Sequence, residues 1–294
     1  MNKPIILVTG ANGQLGCTLQ QIAAQCPGAF EWVFASYQAL DITKVEQIEL
    51  YFERHRPLWC INAAAYTAVD KAETERQRAQ AVNTEAVGLL AQACQRYQTT
   101  LLHISTDFVF DGSKSVPFKE EDAAHPLNYY GLTKLKGEEL LQRMGIPFVI
   151  VRTSWLYSPY GNNFVKTMLR LGKERGKVSV VDDQIGTPTF AEDLARALVH
   201  IIQHDHSRQP LHGIYHYSNE GVASWYDFAH AIFEYAAMKV QVIPIPTSAY
   251  PTAAKRPCFS LLSKSKIKEK FGLEISHWRQ SLQRCLGMML SNQV

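Results

Sequence analysis

The chain has 294 residues, enough for one or two domains with a sizeable core. Apolar residues make up 46% and charged residues 19%, a globular balance, and a net charge of +3 points away from nucleic acid and anionic membranes as partners. No apolar run reaches the ~18 residues of a membrane span, and the run at 5–8 is too short for a signal-peptide core, so a cytoplasmic protein is expected.

Ile5-Ile6-Leu7-Val8 reads as a short strand buried in a parallel sheet. Thr9-Gly10-Ala11-Asn12-Gly13-Gln14-Leu15-Gly16 follows at once, with GxxGxxG spacing. A tight turn, close backbone approach to a pyrophosphate and close helix packing all demand glycine. The helix expected over 14–24 would aim its first amides at the phosphates. The second strand, 31–35, ends in Phe34-Ala35-Ser36-Tyr37. An acid there would bind a ribose 2′-hydroxyl and repel a 2′-phosphate. Its absence favours NADPH and leaves NADH open, since no arginine replaces it. Asp41 and Ile42 can flank an adenine; Asp41 serves equally well as the N-cap of a helix over 43–54. The next strand ends at Asn62, and Ala63, Ala64 and Ala65 let a flat ligand approach the backbone. One helix is expected over 75–97, carrying Asn83.

The strand from Thr100 ends in Ser105-Thr106-Asp107. In a doubly wound sheet the carboxyl ends of strands form the ligand crevice, so these hydroxyls lie where a carbonyl would be polarised. Tyr130 and Lys134 follow, four residues apart at the head of a helical run, hence on one face. A free phenol titrates near pH ~10, and a fixed cation beside it is expected to bring that pKa down. Tyr235 and Lys239 repeat the spacing within an ordinary amphipathic stretch and read as packing. The cysteines, Cys17, Cys26, Cys60, Cys94, Cys258 and Cys285, are scattered without CxxC spacing. They read as reduced packing residues, with no disulfide framework or metal site.

These motifs, in this order, resemble the extended short-chain dehydrogenases/reductases. Thr67-Ala68-Val69-Asp70-Lys71-Ala72-Glu73, Arg152-Thr153-Ser154-Trp155, Asn162-Asn163-Phe164-Val165, Ile185-Gly186-Thr187-Pro188-Thr189 and Arg256-Pro257 narrow the likeness. Together they look like the dTDP-4-dehydrorhamnose reductase family along nearly the whole chain. The family has Tyr where this chain has Phe108, and commonly Phe-Gly-Ala-Pro-Thr at 185–189. The resemblance implies that Gly10, Asn12, Gly13, Gln14, Leu15, Gly16, Asp41, Ile42, Ala63, Ala64, Ala65 and Ser105 hold NADPH, together with Tyr130 and Lys134. It implies Tyr130 as the acid, with Thr106 on the reacting carbonyl and Lys134 completing the catalytic set. Thr67, Val69, Thr106, Asp107, Trp155, Asn163 and Arg256 would line the dTDP-sugar side. Trp155 could stack on a base and Arg256 could grip a diphosphate.

The fold implied is a doubly wound, Rossmann-like parallel sheet with a smaller, interleaved substrate domain. Residues 1–153 plus about 188–205 would bind the cofactor, and about 154–187 plus 206–294 the sugar nucleotide. Pro244, Pro246, Pro251 and Pro257 fit a loop-built second half, and lysines 264–270 a solvated helix face. The expected reaction is reduction of the C4 carbonyl of dTDP-4-dehydro-L-rhamnose. An epimerase or dehydratase of the same fold, and a non-catalytic regulatory subunit, are the alternatives. A homodimer, and a divalent ion bridging subunits, stay open.

Overall fold

The first apolar run forms β1 (Ile5–Thr9), followed through the glycine turn by α1 (Gln14–Gln25). This computed structural model describes residues 3–25, 28, 30–204 and 211–291. Cys26, and the expected domain boundary near 205, lie outside them. Next come β2 (Glu31–Ala35), α2 (Val45–His55) and β3 (Trp59–Asn62). Lys44, not Asp41, occupies the N-cap position of α2, without a side-chain cap bond; the Asp41 carboxylate instead accepts from Thr43 N and Oγ1 at 3.0 and 2.7 Å. Two short helices follow, α3 (Val69–Ala72) and α4 (Arg76–Gln80), then a π-helical turn over Ala81–Glu85 and α5 (Ala86–Tyr97).

The single helix expected over 75–97 is thus broken in register at Asn83. The buried Asn83 side chain bonds Tyr66 N, Tyr66 O and Thr133 Oγ1, at 2.9, 3.0 and 3.1 Å. The Asn83 carbonyl also lies against Gly137, where any β-carbon would overlap it. A wide turn is how a helix accommodates such a demand without ending.

Then come β4 (Thr100–Thr106), α6 (Tyr129–Arg143) and β5 (Phe148–Thr153). Asn128 caps α6 by accepting from Gly131 N at 2.8 Å. Beyond β5 lie β6 (Leu156–Tyr157), α7 (Phe164–Arg175), β7 (Lys177–Val181), β8 (Ile185–Gly186), β9 (Thr189–Phe190) and α8 (Ala191–Gln203). The chain closes with β10 (His212–His216), β11 (Ala223–Ser224), α9 (Trp225–Tyr235), β12 (Gln241–Ile245), α10 (Ser265–Phe271) and α11 (Trp278–Ser291).

The main sheet is parallel throughout, in the order β10-β5-β4-β3-β1-β2. The chain runs outward from β1 to β2 and then returns to the other side of β1 as β3. That reversal opens a crevice at the carboxyl ends of β1 and β3. One face is covered by α1, α8 and α10, whose Leu15, Leu19, Leu194, Leu198 and Ile267 share one core with Ile6, Val8, Val149 and Tyr215 of the sheet. The other carries α2, α5 and α6, with Ile48, Phe52, Leu90 and Leu141 against Leu7 and Cys60. A separate core of Tyr157, Val165, Phe228, Ile232, Trp278 and Leu282 holds the second half together.

The packed tyrosine and solvated lysine expected at 235 and 239 are found: Tyr235 packs against the second core and Lys239 is exposed. α9 ends at Tyr235, and Ala237 turns left-handed at φ 52°, so Lys239 shares no helical face with Tyr235. The Tyr235 hydroxyl accepts instead from Arg279 at 3.3 Å. Lys266, Lys268 and Lys270 lie exposed on α10, the solvated face expected, while Lys264 just before it is buried. Lys264 and Lys268 both pair with Glu220, at 3.4 and 2.9 Å, and Lys266 donates to Ile214 O at 2.8 Å.

Candidate active site

The turn after β1 is built for close approach. Gly10 sits at φ +68°, and a β-carbon there would come within 2.7 Å of Ala64 N and 2.8 Å of Ala63 O. A β-carbon on Gly16 would strike Gly10 O and Ala11 O. The backbone of Ala63–Ala65 therefore lies directly beside the turn, and only glycine permits it. Between them opens a cleft of about 490 Å³, lined among others by Gly10, Asn12, Gly13, Tyr37, Asp41, Ile42 and Tyr66. Burial acts to raise the Asp41 pKa, but the bonds from Thr43 and Tyr37 and the Lys44 charge together outweigh it and leave it lowered. The cleft also contains Arg78 from α4, the one cation among its described lining residues. Sequence reasoning missed it, since it sought an arginine at the end of β2 and this one arrives from 43 residues downstream of Ala35.

A second cavity, of about 600 Å³, adjoins the first through Asn12, Gly13, Ala63 and Ala65. It gathers Gln14, Leu15, Thr67, Ser105, Thr106, Asp107, Tyr130, Lys134, Trp155 and Asn163. Thr106 ends β4 and accepts from Phe108 N at 3.2 Å, while its hydroxyl donates to Asp107 at 3.1 Å. The hydroxyl oxygens of Ser105 and Thr153 are buried there without a protein partner. Both residues line this cavity, and buried hydroxyls without a protein partner are what a bound polar group could satisfy. With the glycine cradle, they fit a dinucleotide laid from the first cleft into the second.

The electrostatics differ from the sequence expectation. Burial pushes the Tyr130 phenol up to about 12; a bond with Thr106 acts against this and the Asp107 charge adds to it. No pull from the Lys134 ammonium offsets this, and the lysine's hydrogen bonds go to β4. Its Nζ donates to Ile104 O at 2.7 Å and lies 3.2 Å from His103 Nε2. Burial also draws Lys134 down to about 8, against the pull of Glu138. Asp107 is raised to about 6 by burial, offset in part by Ser260 and Thr106. Tyr130 is thus a protonated phenol at neutral pH, the form a proton donor needs.

On the far side of the cavity, Trp155 adopts φ 47°, unusual for a bulky residue. Its indole stacks on Trp225 at 3.7 Å and 10°, and Gly186 leaves room for its ring edge. Trp225 in turn lines an apolar groove of about 860 Å³ with Phe164, Met168, Gln184, Tyr250 and Arg256. Trp225 carried no motif signal, while Phe164 and Gln184 lie within motifs of the family likeness but were given no role of their own. Arg256 forms an ion pair with Asp70 at 2.7 Å, and Ala254 N donates to the same carboxylate at 3.0 Å. Asn163 caps α7 through Lys166 N, and its amide donates to Gln14, Ser158 O and Tyr160 O. Most of its hydrogen-bonding capacity is therefore structural. Val69 opens α3 and lines none of the three cavities, so of the expected sugar-side residues it and Arg256 lie outside the central one.

A parallel doubly wound sheet with a glycine turn, and a hydroxyl, phenol and lysine converging beside it, define an extended short-chain dehydrogenase/reductase. Known proteins place it further. The family described as RmlD substrate binding domain matches residues 3–291. A dTDP-4-dehydrorhamnose reductase of Aggregatibacter actinomycetemcomitans is 45% identical over 285 residues, covering 95% of this chain and 97% of that one. A spore coat polysaccharide biosynthesis protein, SpsK, of Bacillus subtilis is 37% identical, with 96% of each chain covered. The crystal structure of dTDP-4-dehydrorhamnose reductase from Bacillus anthracis in complex with NADP superposes with a TM-score of 0.92 at 40% identity, over 98% of this chain and 100% of that one. The chain belongs to the RmlD family of dTDP-4-dehydrorhamnose reductases.

Proposed function

We propose that this chain reduces the C4 carbonyl of dTDP-4-dehydro-L-rhamnose to give dTDP-L-rhamnose, using NADPH, in the cytoplasm. One observation carries the reading: the glycine-cradled cleft opens directly into the cavity where Thr106, Tyr130 and Lys134 meet. NADPH, when bound, supplies the hydride that reaches C4.

The chain's own residues do the rest. Thr106 exchanges its bond to Asp107 for one to the carbonyl oxygen and so stabilises the charge that builds there. Tyr130, kept protonated by burial, gives its proton to the new C4 oxygen and becomes a phenolate. Lys134, close to its titration midpoint, returns a proton to that phenolate. Arg78, the cation among the cleft's described lining residues, would pair with a 2′-phosphate, and this supports NADPH over NADH. The groove beyond Trp155 suits the thymidine diphosphate, held by apolar contact and by Arg256. Residues 1–153 with about 188–205 would form the cofactor unit, and about 154–187 with 206–294 the sugar-nucleotide unit.

A dehydratase or epimerase reading has less support. Phe108, edge-on to Tyr130 at 5.9 Å, stands where elimination would need a second acid. The direct test is NADPH consumption with dTDP-4-dehydro-L-rhamnose. Turnover forming dTDP-L-rhamnose is expected. Tight NADPH binding with no turnover would leave a regulatory subunit as the better account.

A further inference from the structure

Behind Lys134 lies a chain of polar side chains that the reaction as written does not use. Lys134 Nζ is 3.2 Å from His103 Nε2, His103 Nδ1 is 3.1 Å from Asn62 Nδ2, and Asn62 Oδ1 accepts from Thr9 Oγ1 at 2.8 Å. All four residues are buried. Thr9, Asn62 and His103 are direct cross-strand neighbours on β1, β3 and β4.

Counting donors shows that this chain has two self-consistent arrangements. An amide nitrogen only donates, so Asn62 as placed makes His103 Nδ1 an acceptor. A neutral imidazole then carries its proton on Nε2, and Lys134 must be a neutral amine to accept it. An ammonium at Lys134 demands the reverse. Nε2 then accepts, the proton sits on Nδ1, Asn62 turns its amide over to offer Oδ1, and Thr9 Oγ1 accepts from Nδ2. The amide turn leaves the other heavy atoms in place, because its oxygen and nitrogen only exchange positions. A charged imidazole fits neither arrangement cleanly, and burial holds His103 well below the usual histidine range.

We propose that His103 and Asn62 form a two-state hydrogen-bond switch that keeps Lys134 bonded in either charge state, which makes His103 a positioning residue for the reaction. The proposal rests on the reading of Lys134 given above. Without the switch, a lysine that gave its proton to the Tyr130 phenolate would strand a buried donor or acceptor, a heavy penalty in a dry site. Both states are within reach, since burial brings Lys134 to about 8. The charged and titratable groups around the pair are few. α6 brings Tyr130 and Glu138, the turn after β4 brings Asp107, and β5 brings Arg152, which is held by Glu138 at 2.6 Å. One rung further from the crevice, β3 brings Cys60, whose partner Cys94 is pushed well up by burial.

The test is direct observation of the His103 tautomer in ligand-free protein labelled with ¹⁵N-histidine. At about pH 6.5 the proton should sit on Nδ1 and at about pH 9.5 on Nε2, with the change centred on the lysine's titration. His103→Gln identifies the signal and serves as the conservative replacement, since its amide can also accept from the lysine and bond Asn62. His103→Leu should lower kcat by about tenfold or more and move the alkaline limb of its pH profile about one unit lower, with NADPH affinity unchanged. His103→Gln should recover most of both. One tautomer at both pH values overturns the proposal, as does a folded His103→Leu protein with an unshifted limb. If His103→Leu fails to fold, the wild-type tautomers still decide. A tautomer change in a protein that does not turn over would uphold the switch and sink the proposed activity instead.

Discussion

Removing the phenol oxygen of Tyr130 isolates the acid from its setting. Tyr130→Phe keeps the ring against Phe108 and should lower kcat by roughly 10²–10⁴ while NADPH affinity stays near wild type. Steady-state kinetics with a parallel cofactor titration checks both halves. Tyr235→Phe, at the tip of α9, should leave kcat alone. The lysine gives a pH prediction with a definite sign. Its folded pKa, about 8, lies below the ordinary lysine value of 10.5. Above about 8 the ammonium that supplies Tyr130 disappears, so kcat/KM should be level near neutrality and fall roughly tenfold per unit on the alkaline side. Stability should run the other way. Between about 8 and 10.5 the unfolded chain binds the extra proton, so this residue's contribution to unfolding free energy rises with pH over that window. Denaturant titrations of wild type and Lys134→Met, compared across the window, separate the lysine's share from that of other groups.

At the scale of elements, the contact between α6 and the π-helical turn invites a small change with a large effect. Gly137→Ala would drive a methyl group into Asn83 O, and should destabilise the fold by about 1–3 kcal/mol, seen as a lower urea midpoint. An unchanged midpoint would mean that the turn yields freely. Cofactor choice is also set by elements. Ser36→Asp after β2 should shift kcat/KM toward NADH by repelling the 2′-phosphate, and Arg78→Ala should narrow the NADPH preference from the other side of the cleft. If Arg78→Ala leaves the NADPH-to-NADH ratio untouched, the arginine does not meet the phosphate. Much of this was legible in advance where the signal is local. β1, the glycine turn, α1 and β2 lie within one residue of their expected bounds, because strand composition, glycine spacing and helix periodicity all act over a few residues. The wide turn at Asn83 was not legible, since its cause is a glycine 54 residues later on another helix. The Arg256 pairing with Asp70 spans 186 residues, and the Trp225 stack on Trp155 spans 70. The drop in Lys134 and the rise in Tyr130 were hidden for the same reason. Spacing places two groups on one face, but their burial is decided by everything that folds over them.

For the whole molecule, one ligand would bridge two cores. Binding energy from the distant nucleotide would hold C4 in a near-attack position. The free 4-keto sugar without dTDP should therefore show a reduced kcat, not only a raised KM. Trp155→Ala should weaken dTDP binding by about 1–3 kcal/mol and leave NADPH binding unchanged, as read by calorimetry with each ligand alone. Equal dTDP affinity in the variant would detach the groove from the nucleotide. The indole pair at that boundary has a further use. Two tryptophan rings 3.7 Å apart and nearly parallel couple their electronic transitions. The near-ultraviolet circular dichroism should carry a paired positive and negative band that Trp225→Phe abolishes. Since one ring faces the reaction cavity and the other the groove, occupancy of either would perturb the same band. The protein thus contains an optical reporter of its own, readable without label or coupled enzyme, for following sugar-nucleotide arrival in real time.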